Sequence, residues 1–234
     1  RPQGGSLSDG TISMGAGLAD FVRVRAEQAW PVGAVAIRQA VMGEPLACVA
    51  HSLRRGGFRS GDRVVVVGGG YMGRLHLAAA RAGGAASVGV VDLSRERLAD
   101  ATAAGATWVA EPDQALGFGG RHDIVFVTAG APGLLERALV LCDDGGTVVL
   151  YGAFPKGTAA TVDPDLIHHH ELSVIGVYSH EPEDWRTSTG WLVSGTIASD
   201  LDSLVTAEFS LGDVAKAFEL VSSAPVYRVL VGGE

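Results

Sequence analysis

A glycine motif is the clearest candidate for chemistry in this sequence. It reads Gly68-Gly69-Gly70-Tyr71-Met72-Gly73 and stands between a β-branched run at 63–67 and a stretch with helical spacing. In that setting Gly68 permits a tight turn, Gly70 lets a pyrophosphate approach the backbone, and Gly73 lets the helix pack closely on the strand. Free amides in the first helical turn, together with the positive end of the helix dipole, then hold the phosphates. The motif therefore predicts a dinucleotide-binding loop.

An acidic residue stands where such a loop needs one. Asp92 follows a second apolar run in the sequence VVDLS, 19 residues after Gly73. Its carboxylate is able to accept hydrogen bonds from both hydroxyls of the adenosine ribose, and it repels a 2′-phosphate. We therefore expect NAD rather than NADP. Arg95 and Arg97 lie close by and are able to pair with a 2′-phosphate, which keeps NADP as the alternative.

Strands and helices alternate around the glycine motif. The short apolar runs predict strands at 63–67, 87–91, 107–110, 123–127, 146–151 and 172–178, and helical spacing fills 72–82, 94–104 and 132–142. Six strands with helical crossovers predict an α/β fold: a doubly wound, six-stranded parallel Rossmann sheet. The Pro- and Gly-bearing segment 153–171 is expected to be a loop over the carboxyl edge of the sheet.

The remaining segments predict smaller elements at both ends. Residues 1–17 are rich in Gly and Ser and are expected to form a mobile or trimmed lead-in. Alternation at 18–24 predicts a strand, and apolar spacing from Gly33 to Arg55 predicts helices that end at Gly56-Gly57. Beyond residue 180 we expect elements at 182–194 (helix), 204–209 (strand), 211–223 (helix) and 226–231 (strand).

Composition narrows the function class. The chain has 234 residues, of which 47% are hydrophobic and 19% charged, values typical of a folded globular protein. A net charge of −8 argues against nucleic-acid binding, and no apolar run reaches the length of a membrane span. Only Cys48 and Cys142 are present, which suits buried thiols in a reducing cytoplasm. The chain begins with Arg rather than Met, so we expect a processed or trimmed terminus.

Polar side chains near the predicted carboxyl edge are candidates for acid–base chemistry. His180 follows Tyr178 and precedes an acidic patch, and it would act as a general acid or base only with a pKa near the working pH. Tyr178 together with Lys156 is able to donate a proton to a carbonyl. The run His168-His169-His170 is interpreted as a cleft or surface segment, because adjacent side chains point in different directions and do not converge on a metal.

The segment from Glu44 to Leu98, which begins EPLACVAHSL and contains VVVVGGGYMG and VVDLS, resembles the coenzyme domain of medium-chain dehydrogenases. The resemblance is to the sorbitol, threonine and zinc-type alcohol dehydrogenase branch, and it extends from about Gly15 to the C-terminus through TAGAPGLLERAL, HHHELSVIGVY and FSLGDVAKAFELV. It implies that the strand at 172–178 pairs with its twin in a homodimer. With the glycine motif it gives this set of cofactor-binding residues: Gly68, Gly70, Tyr71, Met72, Gly73, Asp92, Arg97, Thr128, Ala129, Gly152, Ala153, Gly176, Val177 and Cys48. Tyr71 is expected to contact the cofactor through its backbone only, with an exposed ring.

The sequence departs from that family at its beginning. Relatives carry a longer N-terminal catalytic domain with a Cys and a His-Glu pair that bind zinc, whereas here only a remnant at 1–43 and a C-terminal return at 204–234 flank the Rossmann domain at 44–203. Glu44 matches the remaining zinc-site position, but one carboxylate does not hold a catalytic zinc, so no metal site is predicted. The chain is either a fragment of a normal enzyme or a natural short form that works without zinc.

Glu44 and His51 are the remaining candidates for catalysis. The resemblance places Glu44 near the nicotinamide, and its ordinary interpretation is a first-turn carboxylate favoured by the helix dipole. His51 lies seven residues later, where it is able to share a helix face with Glu44, although such a residue is more often packed or exposed. The predicted catalytic set is thus Glu44, His51, Tyr178 and His180.

Three functions remain open from the sequence. The first is an NAD(H)-dependent oxidoreductase acting on a secondary alcohol or carbonyl of a polyol-, cyclitol- or sugar-like small molecule, where the substrate rests on the resemblance alone. The second is an enzyme that uses bound NAD transiently for an elimination or epimerisation. The third is a non-catalytic NAD-binding partner subunit.

Overall fold

The computed structural model describes residues 18, 19, 21, 22, 24–118 and 121–232 of the chain. The predicted lead-in at 1–17 lies outside the described residues. Among the described residues, no helix combines the length and the apolarity needed to cross a lipid bilayer.

A six-stranded parallel sheet forms the centre of the fold. Its strands are β1 (Arg63–Val67), β2 (Ser87–Val91), β3 (Trp108–Ala110), β4 (His122–Val127), β5 (Cys142–Leu150) and β6 (Ser173–Gly176). The spatial order is β3-β2-β1-β4-β5-β6, and every neighbouring pair is parallel. This order, with its switch point between β1 and β4, is that of a dinucleotide-binding sheet. The predicted α/β class and all six predicted strands of the sheet are confirmed.

Ten α-helices accompany the strands in the described residues. They are α1 (Ile37–Ala40), α2 (Gly43–Arg55), α3 (Tyr71–Ala82), α4 (Arg95–Ala103), α5 (Pro112–Ala115), α6 (Leu134–Leu141), α7 (Pro164–His169), α8 (Pro182–Ser194), α9 (Ala198–Leu204) and α10 (Val214–Ser223). Pro45 sits in the first turn of α2, where its missing N–H costs no helical hydrogen bond.

Two hydrophobic cores lie on opposite faces of the sheet. In β1, Val64 and Val66 belong to one core, while Val65 and Val67 belong to the other. This division follows from the alternation of side chains along a strand, and it explains why the run is apolar throughout. Helices α2, α3 and α9 supply the first core, and α6 supplies the second.

A separate two-stranded parallel sheet completes the fold. It pairs β7 (Val205–Ser210) with β8 (Arg228–Gly232), and α10 connects the two strands. These strands fall where the sequence predicts them, at 204–209 and 226–231. The assignment of this sheet and the N-terminal residues to a remnant of a second domain stays a prediction.

Two local predictions are wrong, and one helix is missing from the predicted elements. The described residues of 18–24 belong to no strand. The segment 153–171 is not loop throughout, because α7 begins at Pro164 and the Asp163 carboxylate accepts a hydrogen bond from the Asp165 amide at 2.9 Å. Asp and Pro in those positions start a helix, although the Pro and Gly content of the whole segment predicts a loop. Helix α9 was not predicted, and its burial against α3 explains its formation better than its own sequence pattern does.

Helices α2 and α8 are joined by a buried charged network. Asp184 is 1% exposed and accepts hydrogen bonds from Arg54 Nε at 2.9 Å and from the Glu181 amide at 2.8 Å, and it contacts His51 Nδ1 at 2.8 Å. Burial by itself raises the pKa of a carboxyl, but the hydrogen bonds from Arg54, Glu181 and His51 outweigh burial and hold the pKa of Asp184 below its ordinary value. His51 is thereby fixed as part of the α2–α8 contact.

We expect Asp184→Asn to lower the free energy of unfolding by roughly 1–3 kcal/mol at pH 7, because it removes a buried charged acceptor from Arg54 and His51, while Arg54 keeps Glu181 and Glu183 as partners. Since the native-state pKa of Asp184 lies below the unfolded value of about 3.9, its stabilisation is complete above that value and is lost as the pH falls through the native pKa. Urea unfolding should therefore show a constant gap between wild type and variant from about pH 7 to 5, and a narrowing gap below about pH 4. The exposed Glu219→Gln serves as the control, and an equal loss at every pH would contradict this account.

Candidate functional site

The glycine loop connects β1 to α3. At two of its positions, Gly68 and Gly73, a residue with a side chain does not fit. Gly68 has a φ of +107°, and a Cβ there would lie 2.8 Å from Thr128 Oγ1. A Cβ at Gly73 would overlap the carbonyl oxygen of Gly68. The Thr128 hydroxyl donates to that same carbonyl at 2.9 Å, which fixes the turn from β4. The first turn of α3 is therefore held directly against the end of β1.

Asp92 lies beside this loop at the end of β2. Its Oδ2 accepts a hydrogen bond from the Gly69 amide at 2.6 Å, and its Oδ1 accepts one from the Ser94 amide at 2.8 Å. Each carboxylate oxygen has two lone pairs, so each keeps one for a ligand hydroxyl. Arg97 Nη1 lies 3.9 Å from Asp92 Oδ2. The carboxylate is thus both a brace for the loop and an available acceptor.

A cleft of about 620 Å³ opens at the carboxyl edge of the sheet. Four of the predicted cofactor-binding residues line it, namely Gly68, Asp92, Arg97 and Ala129. Beside Gly70, the nearest atom to an added Cβ is Arg97 Nη1 at 3.8 Å, so the space in front of the loop is open. Open space beside unhindered backbone and a helix N-terminus is the arrangement that a pyrophosphate requires.

The predicted nicotinamide end lies across β4, β5 and β6. A Cβ at Gly152 would come within 2.7 Å of the Ala129 backbone, so the ends of β4 and β5 approach closely only because residue 152 is glycine. Ala153 continues from Gly152. Gly176 ends β6, and the Val177 amide donates to the Leu150 carbonyl at 3.1 Å. The structure therefore brings these predicted residues to one edge of the sheet.

Tyr71 and Met72 face the protein rather than solvent, which corrects the expectation of an exposed Tyr71 ring. The Tyr71 hydroxyl is buried without a hydrogen-bond partner among the described residues, and burial raises the pKa of Tyr71 to about 12. The Arg228 guanidinium lies 5.0 Å from the centre of its ring, an attractive cation–π arrangement. The Met72 carbonyl contacts Nδ1 of His76, and burial lowers the pKa of His76 to about 4, which keeps that side chain neutral.

Glu44, Cys48 and His180 form a cluster beside the predicted nicotinamide end. Glu44 Oε1 lies 3.4 Å from Cys48 Sγ, Cys48 Sγ lies 3.6 Å from His180 Nδ1, and His180 Nδ1 lies 3.7 Å from Glu44 Oε1. Burial, and then the adjacent Glu44 carboxylate, raise the pKa of Cys48 to about 12. The same surroundings, with burial the larger cause, raise the pKa of Tyr151.

Two predicted catalytic residues lie outside this cluster. His51 is buried and contacts Asp184, so its imidazole is used in the α2–α8 contact. Tyr178 is 91% exposed. The run His168-His169-His170 is neither loop nor strand, because it forms the last turn and C-cap of α7, where His169 and His170 are exposed and lie beside Asp165 and Asp144.

Sequence reasoning missed the meeting of Glu44, Cys48 and His180. Glu44 and Cys48 are four residues apart on α2, a spacing that signals a shared helix face. His180 is 132 residues further along the chain, and no local signal shows which residue it meets. With one nitrogen, one sulfur and one carboxylate oxygen, the cluster offers ligand atoms that zinc accepts, and the glycine loop offers the cradle that a dinucleotide requires.

Solved structures with a similar fold carry nucleotides. An Escherichia coli CFT073 protein described as a short chain alcohol dehydrogenase, in complex with NADH, is 25% identical and superposes with a TM-score of 0.80 over 88% of this chain and 63% of its own. A Sinorhizobium meliloti protein bound to NADP is 26% identical, with a TM-score of 0.76 over 84% of this chain and 61% of its own.

Sequence comparison gives the family. Sorbitol dehydrogenase of Macaca fascicularis is 32% identical over 197 residues, which are 79% of this chain and 53% of that protein. The chain thus spans about half the length of the curated relatives it matches. A family model described as zinc-binding dehydrogenase matches residues 71–194, more than half of the chain. The chain therefore belongs to the zinc-binding dehydrogenases, the medium-chain dehydrogenase family that its sequence resembles.

Proposed function

We propose that this chain works as an NAD(H)-dependent oxidoreductase that interconverts a secondary alcohol and a carbonyl in a small polyol-, cyclitol- or sugar-like molecule. The observation that carries the proposal is the Asp92 carboxylate, fixed to the Gly69 amide at 2.6 Å at the mouth of the glycine loop. A carboxylate held there accepts the two ribose hydroxyls of NAD(H) and repels the 2′-phosphate of NADP(H).

The residues of the chain bind and orient the cofactor. Amides at the start of α3 hold the pyrophosphate, and the backbone at Thr128, Ala129, Gly152 and Val177 borders the nicotinamide end. When bound, NAD⁺ supplies a hydride acceptor at C4 of its nicotinamide ring. Similar structures hold either NADH or NADP, so the fold alone does not select between them. In this chain we assign the preference for NAD(H) over NADP(H) to Asp92. Arg97 is able to pair with a 2′-phosphate and therefore favours NADP(H).

The substrate class rests on the relatives. The Macaca fascicularis relative is a sorbitol dehydrogenase, which favours a polyol. Among the predicted catalytic residues, Glu44 and His180 contact each other, with 3.7 Å from His180 Nδ1 to Glu44 Oε1. In the chain without a bound metal, they are proposed to hold or move the alcohol proton. His51, bound to Asp184, is proposed to act only by positioning α2, and the exposed Tyr178 is proposed to contact substrate.

A homodimer through β6 is part of the proposal. β6 is the last strand of the sheet, and its outer backbone is unpaired in a single copy of the described chain. Ser173, Val174 and Gly176 are exposed, so a second copy is able to approach the edge.

Light scattering after size-exclusion chromatography should show a dimer that Val174→Pro converts to a monomer. A wild-type monomer at high protein concentration would contradict this.

Asp92→Asn should reduce the preference for NADH over NADPH by about tenfold or more, which corresponds to roughly 1.4 kcal/mol. The amide keeps the size of the side chain and one hydrogen-bond acceptor, but it removes the charge that repels a 2′-phosphate. Titration of the purified chain with each reduced nucleotide, followed by nucleotide fluorescence, measures the ratio. Asp165→Asn makes the same chemical change at an exposed site and should leave the ratio unaltered. An unchanged ratio in Asp92→Asn would remove Asp92 from the recognition site.

The oxidoreductase assignment is tested by turnover. The chain is incubated with NAD⁺ and a panel of polyols and cyclitols, and with NADH and the matching ketoses, and absorbance of the reduced nicotinamide is followed. Net reduction of NAD⁺ by at least one vicinal diol is expected. Tight NADH binding without net turnover in either direction would contradict the proposal, and would favour transient use of NAD or a non-catalytic subunit.

A further inference from the structure

We propose that Glu44, Cys48 and His180 form a binding site for a zinc-class divalent cation. This set differs from the one that the family resemblance implies, in which a Cys and a His-Glu pair come from the N-terminal catalytic domain. Only Glu44 is common to both. The proposal does not depend on the bound dinucleotide, because all three ligands are side chains of this chain.

The three donor atoms already stand at the separations of a tetrahedral site. Zinc binds sulfur at about 2.3 Å and imidazole nitrogen or carboxylate oxygen at about 2.0–2.2 Å, which places tetrahedral donors roughly 3.3–3.6 Å apart. The observed edges are 3.4 Å from Glu44 Oε1 to Cys48 Sγ, 3.6 Å from Cys48 Sγ to His180 Nδ1, and 3.7 Å from His180 Nδ1 to Glu44 Oε1. A cation fits among them with donor shifts of only a few tenths of an ångström.

The residue before His180 has an unfavourable backbone conformation, and this conformation directs the His180 side chain toward Glu44 and Cys48. Ser179 has a φ of +63°, in the left-handed region that residues with a side chain rarely adopt. The His180 ring then packs edge-on against Trp185, with ring centres 5.5 Å apart and planes at 87°. Backbone strain of this kind persists where surrounding structure enforces it, and it concentrates at ligand sites. His180 is thus aimed at Glu44 and Cys48 by two independent features.

The donor set favours particular metals. One sulfur, one nitrogen and one oxygen suit borderline-soft ions such as Zn²⁺ and Co²⁺, whereas Mg²⁺ and Ca²⁺ prefer oxygen ligands alone. The Glu44 side chain is 59% exposed, so the cluster opens to solvent on one side. Three protein ligands and one open position are typical of reactive zinc sites, in which water or a substrate oxygen occupies the fourth position.

A neighbouring cluster with two acidic residues is not proposed as a metal site. His51, Glu181 and Asp184 also converge, but the Arg54 guanidinium donates to Asp184 Oδ1 at 2.9 Å, to Asp184 Oδ2 at 3.2 Å and to Glu181 Oε2 at 2.8 Å. A positive charge therefore already occupies these acceptors. No such cation contacts Glu44, Cys48 or His180 among the described residues.

Titration with Co²⁺ tests the site, because a thiolate ligand gives cobalt an intense charge-transfer absorption and a tetrahedral site strengthens its visible bands. One equivalent of Co²⁺ should bind to the chain, produce both signals, and be displaced by one equivalent of Zn²⁺. Cys48→Ser should abolish the charge-transfer band, and Cys48→Ser and His180→Gln should each weaken Zn²⁺ binding more than roughly 100-fold, beyond the roughly 10–100-fold effect of outer-sphere partners.

Matched controls use residues of the same type elsewhere. Cys142→Ser and His169→Gln should leave the stoichiometry, the spectrum and the affinity unchanged. Circular dichroism and NADH titration on every variant separate loss of the metal from loss of the fold or of the dinucleotide site. Absence of stoichiometric binding by folded wild type, or an unchanged charge-transfer band in Cys48→Ser, would overturn the proposal and support the sequence-based expectation of no metal. The three side chains would then be joined by their own contacts alone, the thiol hydrogen bond to Glu44 and the contacts of His180 with Cys48 and Glu44.

Discussion

The contact between Gly73 and the carbonyl of Gly68 is the constraint on which the rest of the site depends. A methyl group at residue 73 has no space, so the start of α3 approaches the end of β1 only with glycine there. This approach directs the first amides of α3 outward from the carboxyl edge of the sheet. It also brings the Gly69 amide to the Asp92 carboxylate, at 2.6 Å. The phosphate-binding and ribose-binding features are therefore consequences of one packing contact.

The order of the strands places further residues beside the glycine loop, and together they form a cleft. Because β1 has β2 on one side and β4 on the other, its carboxyl end is flanked by Asp92 and by Thr128. Beyond β4, the close approach of Gly152 to Ala129 continues the same edge toward β6. The segment after β6 then returns across α2, where Asp184 meets His51 and His180 meets Cys48. The buried His51–Asp184 contact and the Glu44–Cys48–His180 cluster therefore both join α2 to the segment that follows β6.

The sequence predicts the parts of this structure that depend on local pattern. Alternation is absent from the run at 63–67 because both faces of β1 are buried, and that signal is visible without coordinates. Glycine spacing and the position of Asp92 likewise locate the dinucleotide loop. Helix α9 is different, because its packing against α3 involves residues about 120 positions away along the chain. The surroundings of the Tyr71 ring likewise include a distant residue, Arg228, whose guanidinium lies 5.0 Å from the ring centre. The Glu44–Cys48–His180 cluster depends on the path of the chain after β6, which no short motif specifies.

The central claim is that the loop at 68–73 and the carboxylate of Asp92 together bind NAD(H). A crystal structure of the chain grown with NADH tests this most directly, since it locates the pyrophosphate and the adenosine ribose independently of turnover. We predict the pyrophosphate at the amides that open α3 and both ribose hydroxyls within hydrogen-bond distance of the Asp92 carboxylate. NADH bound elsewhere, or a ribose that does not contact Asp92, would contradict the account.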